Sequence, residues 1–134
     1  MAYATQADMI ARFGEPELIQ LTDRQGLGVI DATVLDQALF DADVQIDAHL
    51  AGRYSLPLDP VPAVLVPFAC DLARLALYTD AAPDTVQKRA DKASRFLELV
   101  AKGTIQLGLV VPPPDAGAVQ FAPGDKVFGR SESY

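Results

Sequence analysis

The chain has 134 residues, of which 50% are hydrophobic, and a formal net charge of −7. This length and hydrophobic content fit one domain with a single buried core. The negative charge argues against a nucleic-acid-binding protein, which usually presents a basic surface. The lone cysteine, Cys70, excludes an intrachain disulfide. The N-terminus MAYATQADMI lacks a secretory signal pattern, and the apolar stretch 61–78 is interrupted by charges and proline. We therefore expect a soluble protein of the cytoplasm or of a particle, with no membrane span.

The first predicted elements are two short helices separated by Gly14. Thr5 followed three residues later by Asp8 is typical of a helix N-terminus. Pro16 stands where the first turn of a second helix tolerates proline. Two glycines within residues 22–31 then indicate a loop.

A longer helix is predicted to begin at Thr33, as its cap, and to end near Gly52. Its apolar residues recur at steps of three and four, which predicts one buried face: Leu35, Ala38, Leu39, Ala42, Ile46 and Leu50. The stretch SLPLDPVP that follows contains three prolines and indicates a rigid corner. A nearly apolar helix ending near Tyr78, and another over residues 83–103, complete the helical pattern.

The pattern changes after the last helix. Ile105, Leu107 and Leu109 alternate with other residues, which predicts a short β-strand. The predicted fold class is all-α: a small bundle of about four to five helices over residues 1–108, with that short strand, followed by an extended C-terminal arm over residues 109–134. The arm carries apolar residues that a plain spacer would not need, so we expect it to order on a partner.

The acids of the long helix are the first candidates for a functional surface. Asp36, Asp43 and Asp47 lie opposite its apolar face. Asp43 and Asp47 are four residues apart, but one helix supplies too few oxygen ligands for a divalent cation. We expect a solvated face or a surface toward a neighbouring molecule, and no metal.

Basic residues at two other places are further candidates. Lys88, Arg89 and Lys92 are interleaved with acids, which favours a solvated or intersubunit face over nucleic-acid contact. At the corner, Arg53 is predicted either to bond helix-end carbonyls, with Tyr54 packed beside it, or to form an intersubunit salt bridge.

No catalytic constellation is apparent in the sequence. His49 is the sole histidine, and a pair with Cys70 is conceivable if their helices pack side by side. Nucleophilic catalysis also needs an orienting group and an oxyanion hole, and no motif signals either. We therefore expect neither enzymatic activity nor a cofactor.

Several stretches, taken in order, resemble one known family. MAYATQADMIARFGEPELIQLTDR, DAHLAGRYSLPL, PVPAVLVPFACDLARLALY and KASRFLELVAKGTIQLG are similar to blocks of the small head–tail connector, or adaptor, proteins of Mu-like phages and prophages. The resemblance covers about residues 1–108, and VFGRSESY resembles the C-terminal ending of that family.

The resemblance implies a helical subunit of the virion neck, assembled in the host cytoplasm. Such subunits form a ring, commonly of about twelve copies, beneath the portal protein. The ring extends the DNA channel, whose DNA passes without specific binding, and holds the stopper or tail proteins. The arm of such proteins inserts into the portal, which suggests five portal-binding residues: Phe121, Val127, Phe128, Arg130 and Tyr134.

Within this interpretation, the charged residues named above are candidates for the subunit interface or the channel face. The proline corner would set the angle between two helices, and so the wedge shape of a ring subunit. The alternatives are another virion assembly protein, such as a stopper or tail-completion protein, or a small helical regulatory protein. The regulatory alternative lacks a basic recognition helix.

Overall fold

The computed structural model describes residues 2–109. Five helices follow one another in this part of the chain: α1 Gln6–Phe13, α2 Glu15–Thr22, α3 Ala32–Leu50, α4 Leu65–Leu77 and α5 Asp84–Ala101. The prediction of an all-α bundle is therefore confirmed over these residues. None of the helices within residues 2–109 is both long and apolar enough to span a bilayer.

Local capping explains where the first helices begin and end. The Thr5 hydroxyl accepts from the Asp8 N–H at 3.2 Å, and Asp8 Oδ2 accepts from the Thr5 N–H at 2.9 Å, so the predicted N-terminus of α1 is confirmed. Gly14 separates α1 from α2 with φ of +89°, a conformation in which a side chain would be strained. The turn between the two short helices therefore depends on this glycine.

The cap of α3 is Asp31, and the prediction of Thr33 was wrong. Asp31 Oδ1 accepts from the N–H groups of Thr33 and Val34 at 3.0 and 3.4 Å. The Asp31 N–H in turn donates to the Thr22 hydroxyl at 3.0 Å. The side chain of Asp31 therefore caps α3, and the partly buried bond to Thr22 joins the start of α3 to the end of α2.

The core lies between α3, α4 and α5, with α1 packed on α4 and α2 on α3. The central helix is α4, as its apolar run predicted, and its buried residues lie on several sides: Leu65, Ala69, Cys70, Asp71, Leu72, Ala73 and Leu77. Pro67 falls in the first turn of α4, where the missing N–H costs no helical hydrogen bond. The outward faces of α3 and α5 are left at the surface.

The proline corner packs against the segment that follows α5. Tyr54 is 4% exposed, and its hydroxyl accepts a hydrogen bond from the Leu107 N–H at 3.2 Å. Leu58 is also buried in the core. The Leu56–Pro57 and Asp59–Pro60 peptide bonds are cis.

The predicted β-strand after α5 was wrong. The N–H groups of Thr104 and Ile105 both donate to the Leu99 carbonyl, at 2.9 and 3.2 Å, and so close the end of α5. Gly103 and Gly108 adopt positive φ on either side of this segment. A strand needs a neighbouring strand to pair its backbone groups, and residues 2–109 offer none. The apolar alternation instead reflects packing against the core.

Candidate interaction surfaces

The acidic face of α3 holds the N-terminal segment of its own chain. Tyr3 is 2% exposed; its N–H donates to Asp43 Oδ1 at 3.0 Å, and its hydroxyl donates to Asp47 Oδ1. Farther along, Gln6 Nε2 donates to Asp36 Oδ1 at 2.9 Å. The three predicted acids share one face, but Asp43 and Asp47 are already bound to Tyr3.

Burial raises the pKa values of two groups in this contact. Burial, followed by the hydrogen bond to Asp47, raises the pKa of Tyr3, so its hydroxyl stays a donor at neutral pH. Burial also raises the pKa of Asp43 above its usual range, although the hydrogen bond from the Tyr3 N–H opposes that rise. Asp43 and Asp47 therefore anchor the N-terminal segment.

An apolar ridge lies beside these acids on the outer side of α3. Phe40 and Val44, one turn apart, are 60% and 49% exposed, and we call them the α3 ridge. The exposed acids Asp36 and Asp41 flank Phe40 on either side of the helix. Apolar periodicity marks only the buried stripe, so this ridge was not predicted from the sequence. A phenylalanine off that stripe was the available signal.

The predicted basic residues of α5 fall into two groups. Lys88 and Lys92 are exposed and, with Arg95, form a line along the helix that we call the α5 basic strip. Within residues 2–109, no acidic group lies at ion-pair distance from these three side chains. Arg89 differs, because its Nε lies 3.1 Å from Asp71 Oδ1.

Asp71 is a carboxylate inside the bundle, 7% exposed. The Arg89 Nε–H bond does not point at Asp71 Oδ1, although the two atoms are close. Asp71 Oδ1 therefore has no hydrogen-bond partner among the described residues. Burial raises the pKa of Asp71, and the charges of Arg89, Arg74 and Arg12 oppose that rise. Arg89 is thus committed to an ion pair between α4 and α5.

A second arginine cluster ties the short helices to the bundle. Arg74 donates to both oxygens of Glu17, from Nε at 2.7 Å and from Nη2 at 3.0 Å. Its guanidinium carbon lies 4.4 Å from the centroid of the Phe13 ring, and that of Arg89 lies 5.9 Å from it. The partners Arg74 and Glu17 are 57 residues apart, so no local pattern in the sequence signalled this bidentate pair.

Arg53 lies against the end of α5. A Cβ atom added at Gly103 would approach Arg53 Nη1 to 2.8 Å, so the guanidinium covers that glycine closely. Arg53 Nε is buried and has no hydrogen-bond partner among the described residues. The predicted bonds to helix-end carbonyls are not formed there, whereas the predicted packing of Tyr54 is confirmed.

A cleft of about 430 Å³ opens where the corner meets Gly108 and Leu109. Leu109 itself packs against the core, so the helical body extends to this residue. The five predicted portal-binding residues lie outside the described part of the chain: Phe121, Val127, Phe128, Arg130 and Tyr134.

His49 and Cys70 are engaged separately. His49 Nδ1 lies 2.8 Å from the carbonyl oxygen of Gln45 in its own helix. Cys70 is buried in α4, and burial raises the pKa of its thiol to about 11. A protonated thiol is a poor nucleophile and a poor metal ligand. Within residues 2–109, no three or more His, Cys, Asp or Glu side chains are grouped to hold a metal ion.

Comparison with known proteins places the chain among phage proteins. A family model described as Bacteriophage Mu, Gp36 matches residues 3–122. The chain belongs to the bacteriophage Mu Gp36 family. Mu-like prophage FluMu protein gp36 of Haemophilus influenzae is 36% identical over 135 residues, which cover 98% of this chain and 95% of the relative. Gene product J of Escherichia phage Mu is 32% identical over 137 residues, which cover 98% of this chain and 97% of the relative.

Membership of the Gp36 family makes this chain a Mu-like phage protein, as the resemblance indicated. The family match includes all five helices and continues beyond Leu109 to residue 122. The Gp36 family therefore comprises the helical body together with the beginning of the predicted arm.

Proposed function

We propose that this Gp36-family protein is a structural head–tail connector of a Mu-like phage. Its copies form a ring beneath the portal protein, extend the DNA channel and hold the stopper or tail proteins. The ring is part of the virion neck and assembles in the host cytoplasm. This role needs no catalytic group and no cofactor.

The α3 ridge is the observation that best supports this role. It is an exposed apolar surface on a protein that belongs to a phage family. Phe40 and Val44 are neighbours on one helix face and are largely exposed. Aromatic residues are enriched at the centres of protein interfaces, and adjacent exposed apolar side chains indicate contact with another molecule. The surrounding acids and the α5 basic strip add charged surfaces suited to a multi-subunit assembly.

Charge and shape are also consistent with a channel-forming ring. The net charge of −7 disfavours tight binding of DNA phosphates, so DNA can pass without being held. The buried Tyr54 and the prolines stiffen the corner between α3 and α4. A stiff corner suits a closed ring, because angular errors add up from one subunit to the next.

The alternative role as a stopper or tail-completion protein is less well supported. Stopper and tail-completion proteins are often rich in β structure, whereas residues 2–109 form helices and connecting turns. The helical body therefore favours the connector.

Binding to the portal protein tests the proposal. We would compare the full chain with a truncation after Leu109, which retains the core residue Leu109. Sedimentation with negative-stain imaging would detect rings on the portal, and circular dichroism would establish that the truncated protein is folded. We expect the full chain to form a ring and the folded truncation to lose binding.

The outcomes separate the connector role from the role of the arm. A truncation that still forms a ring on the portal would show that the arm is not the docking element, and the connector role would stand. Failure of both folded proteins to bind the portal would overturn the connector role.

A further inference from the structure

The outer faces of α3 and α5 carry opposite charges. The α3 helix contains four aspartates and no lysine or arginine, whereas the KRADKASR stretch of α5 contains four basic residues and one acid. The buried residues of each helix lie on the opposite side, toward the shared core. The two outer faces are therefore complementary in charge, and each lies on the side of its helix that faces away from the core.

We propose that the α3 ridge, with its flanking acids, binds the α5 basic strip of a second copy of this chain. The contact rests on the proposed function, since it would join neighbouring subunits of the ring. Phe40 and Val44 form its apolar centre, and the exposed carboxylates of Asp36 and Asp41 form its charged rim. This is the usual anatomy of a protein interface.

The side chains of the basic strip suit such a surface. The aliphatic stems of Lys88 and Lys92 cover apolar surface while their ammonium groups reach carboxylates. The Arg95 guanidinium stacks well on an aromatic ring such as that of Phe40. The half-buried Leu99 lies one turn beyond Arg95 and extends the apolar contact.

Contacts between two like faces are disfavoured by charge. Two α3 faces brought together would oppose aspartates to aspartates, and two α5 strips would oppose bases to bases. The α3-to-α5 contact is heterologous, so one copy of the pair keeps an unused basic strip and the other keeps an unused acidic face. Contacts of this type add subunits in one direction and close a ring when the rotation allows.

The internal contacts of the protein define which charges take part. Asp43 and Asp47 hold Tyr3, and Arg89 is paired with Asp71. These three charged residues were predicted from the sequence to lie at the interface or channel. Among the described residues, Asp36 and Asp41 accept hydrogen bonds only from the neutral side chains of Gln6 and Gln37 and are themselves exposed. The intersubunit contact therefore uses these two carboxylates and the basic strip.

Two variants with opposite charge reversals test the contact. One carries Asp36→Lys and Asp41→Lys, and the other carries Lys88→Glu and Lys92→Glu. Each alone should weaken self-association by about tenfold or more, measured by sedimentation over a range of chain concentrations and by imaging of rings on the portal. An equimolar mixture should restore association, because every α3 face then meets an α5 strip of opposite charge.

Controls separate the contact from general charge effects. Glu15→Lys with Asp80→Lys makes the same charge change at exposed positions outside α3 and α5 and should leave assembly unaltered. Phe40→Ser should weaken assembly while circular dichroism shows an unchanged helical content. Added salt should weaken assembly, since it screens the charged rim.

The outcomes distinguish this contact from the connector role itself. Rings formed by either single-reversal variant as readily as by the unaltered chain, or a mixture that fails to recover, would overturn the contact and leave the connector role standing. Absence of rings from the unaltered chain on the portal would overturn both.

Discussion

Two buried tyrosines fasten non-helical segments to the helical body, and they do so by different chemistry. The Tyr3 hydroxyl donates to the Asp47 carboxylate, and the Tyr3 N–H donates to Asp43. The Tyr54 hydroxyl instead accepts from the N–H of Leu107. Both rings are nearly inaccessible to solvent, so the two contacts differ mainly in the charge of the partner group.

The difference shows which part of the molecule depends on electrostatics. The N-terminal contact is charge-assisted and shares a helix face with the proposed intersubunit surface. The corner contact joins two neutral groups, so this hydrogen bond depends little on ionisation. The N-terminal anchor should therefore respond to ionisation more than the corner does.

The largest expected effect is that of Tyr54→Ala. Removal of a buried aromatic ring leaves a cavity and should lower the free energy of unfolding by about 3–5 kcal/mol. Urea denaturation would measure this loss, and amide exchange at Leu107 should accelerate as its acceptor disappears. A loss below about 1 kcal/mol would show that the corner is not anchored by this side chain.

The next effect is that of Tyr3→Phe. This change keeps the ring but removes a hydrogen bond to a charged group, which should lower the free energy of unfolding by about 1.5–3 kcal/mol. Tyr78→Phe serves as a matched control, since no side-chain hydrogen bond is made by Tyr78 within residues 2–109 and its effect should stay within about 0.5 kcal/mol. Equal effects at Tyr3 and Tyr78 would contradict a charge-assisted anchor.

A smaller effect is expected for Tyr54→Phe. The lost hydrogen bond is neutral, so the free energy of unfolding should fall by about 0.5–1.5 kcal/mol, less than for Tyr3→Phe. Parallel urea titrations of the two phenylalanine variants would compare the contacts directly. The reverse order would show that the corner, rather than the N-terminal segment, has the stronger hydrogen bond.

The smallest effect concerns pH and Asp43. Burial raises the pKa of Asp43, so the folded chain binds more protons than the unfolded chain above the usual value of 3.8. The Asp43 contribution to stability should therefore decrease as pH rises from there through the raised pKa. Asp43→Asn should remove the Asp43 contribution to the slope of the free energy of unfolding against pH. The difference between the pH–stability curves of the unaltered chain and the variant measures this contribution. An unchanged slope would contradict a raised pKa.

Local patterns predicted much of the fold. The Thr5–Asp8 cap, the break at Gly14 and the buried stripe of α3 each depend on residues within a few positions of one another. The β-strand prediction failed because apolar alternation does not reveal whether a pairing partner exists. The α3 cap was misplaced because the side chain of Asp31, two residues before Thr33, accepts from the N–H groups of Thr33 and Val34 and so begins the helix earlier.

The candidate surfaces were only partly predictable. Periodicity placed Asp36, Asp43 and Asp47 away from the buried stripe of α3, and their closeness in sequence grouped Lys88 and Lys92 on α5. It could not show that some of these charges are already committed within the chain. Those commitments depend on partners that are distant in sequence, such as Tyr3, 44 residues from Asp47.

The sequence alone determined the helical class, the sites of most helix boundaries, the acidic character of α3 and the family of the protein. These properties depend on residue type and short-range spacing, which the chain carries before it folds. Only the tertiary structure decided which charges remain available, because packing brings Tyr3 onto α3 and Arg89 onto Asp71. A charge that is bound within the fold no longer contributes in the same way to an external surface. The α3 ridge and the α5 basic strip remain exposed.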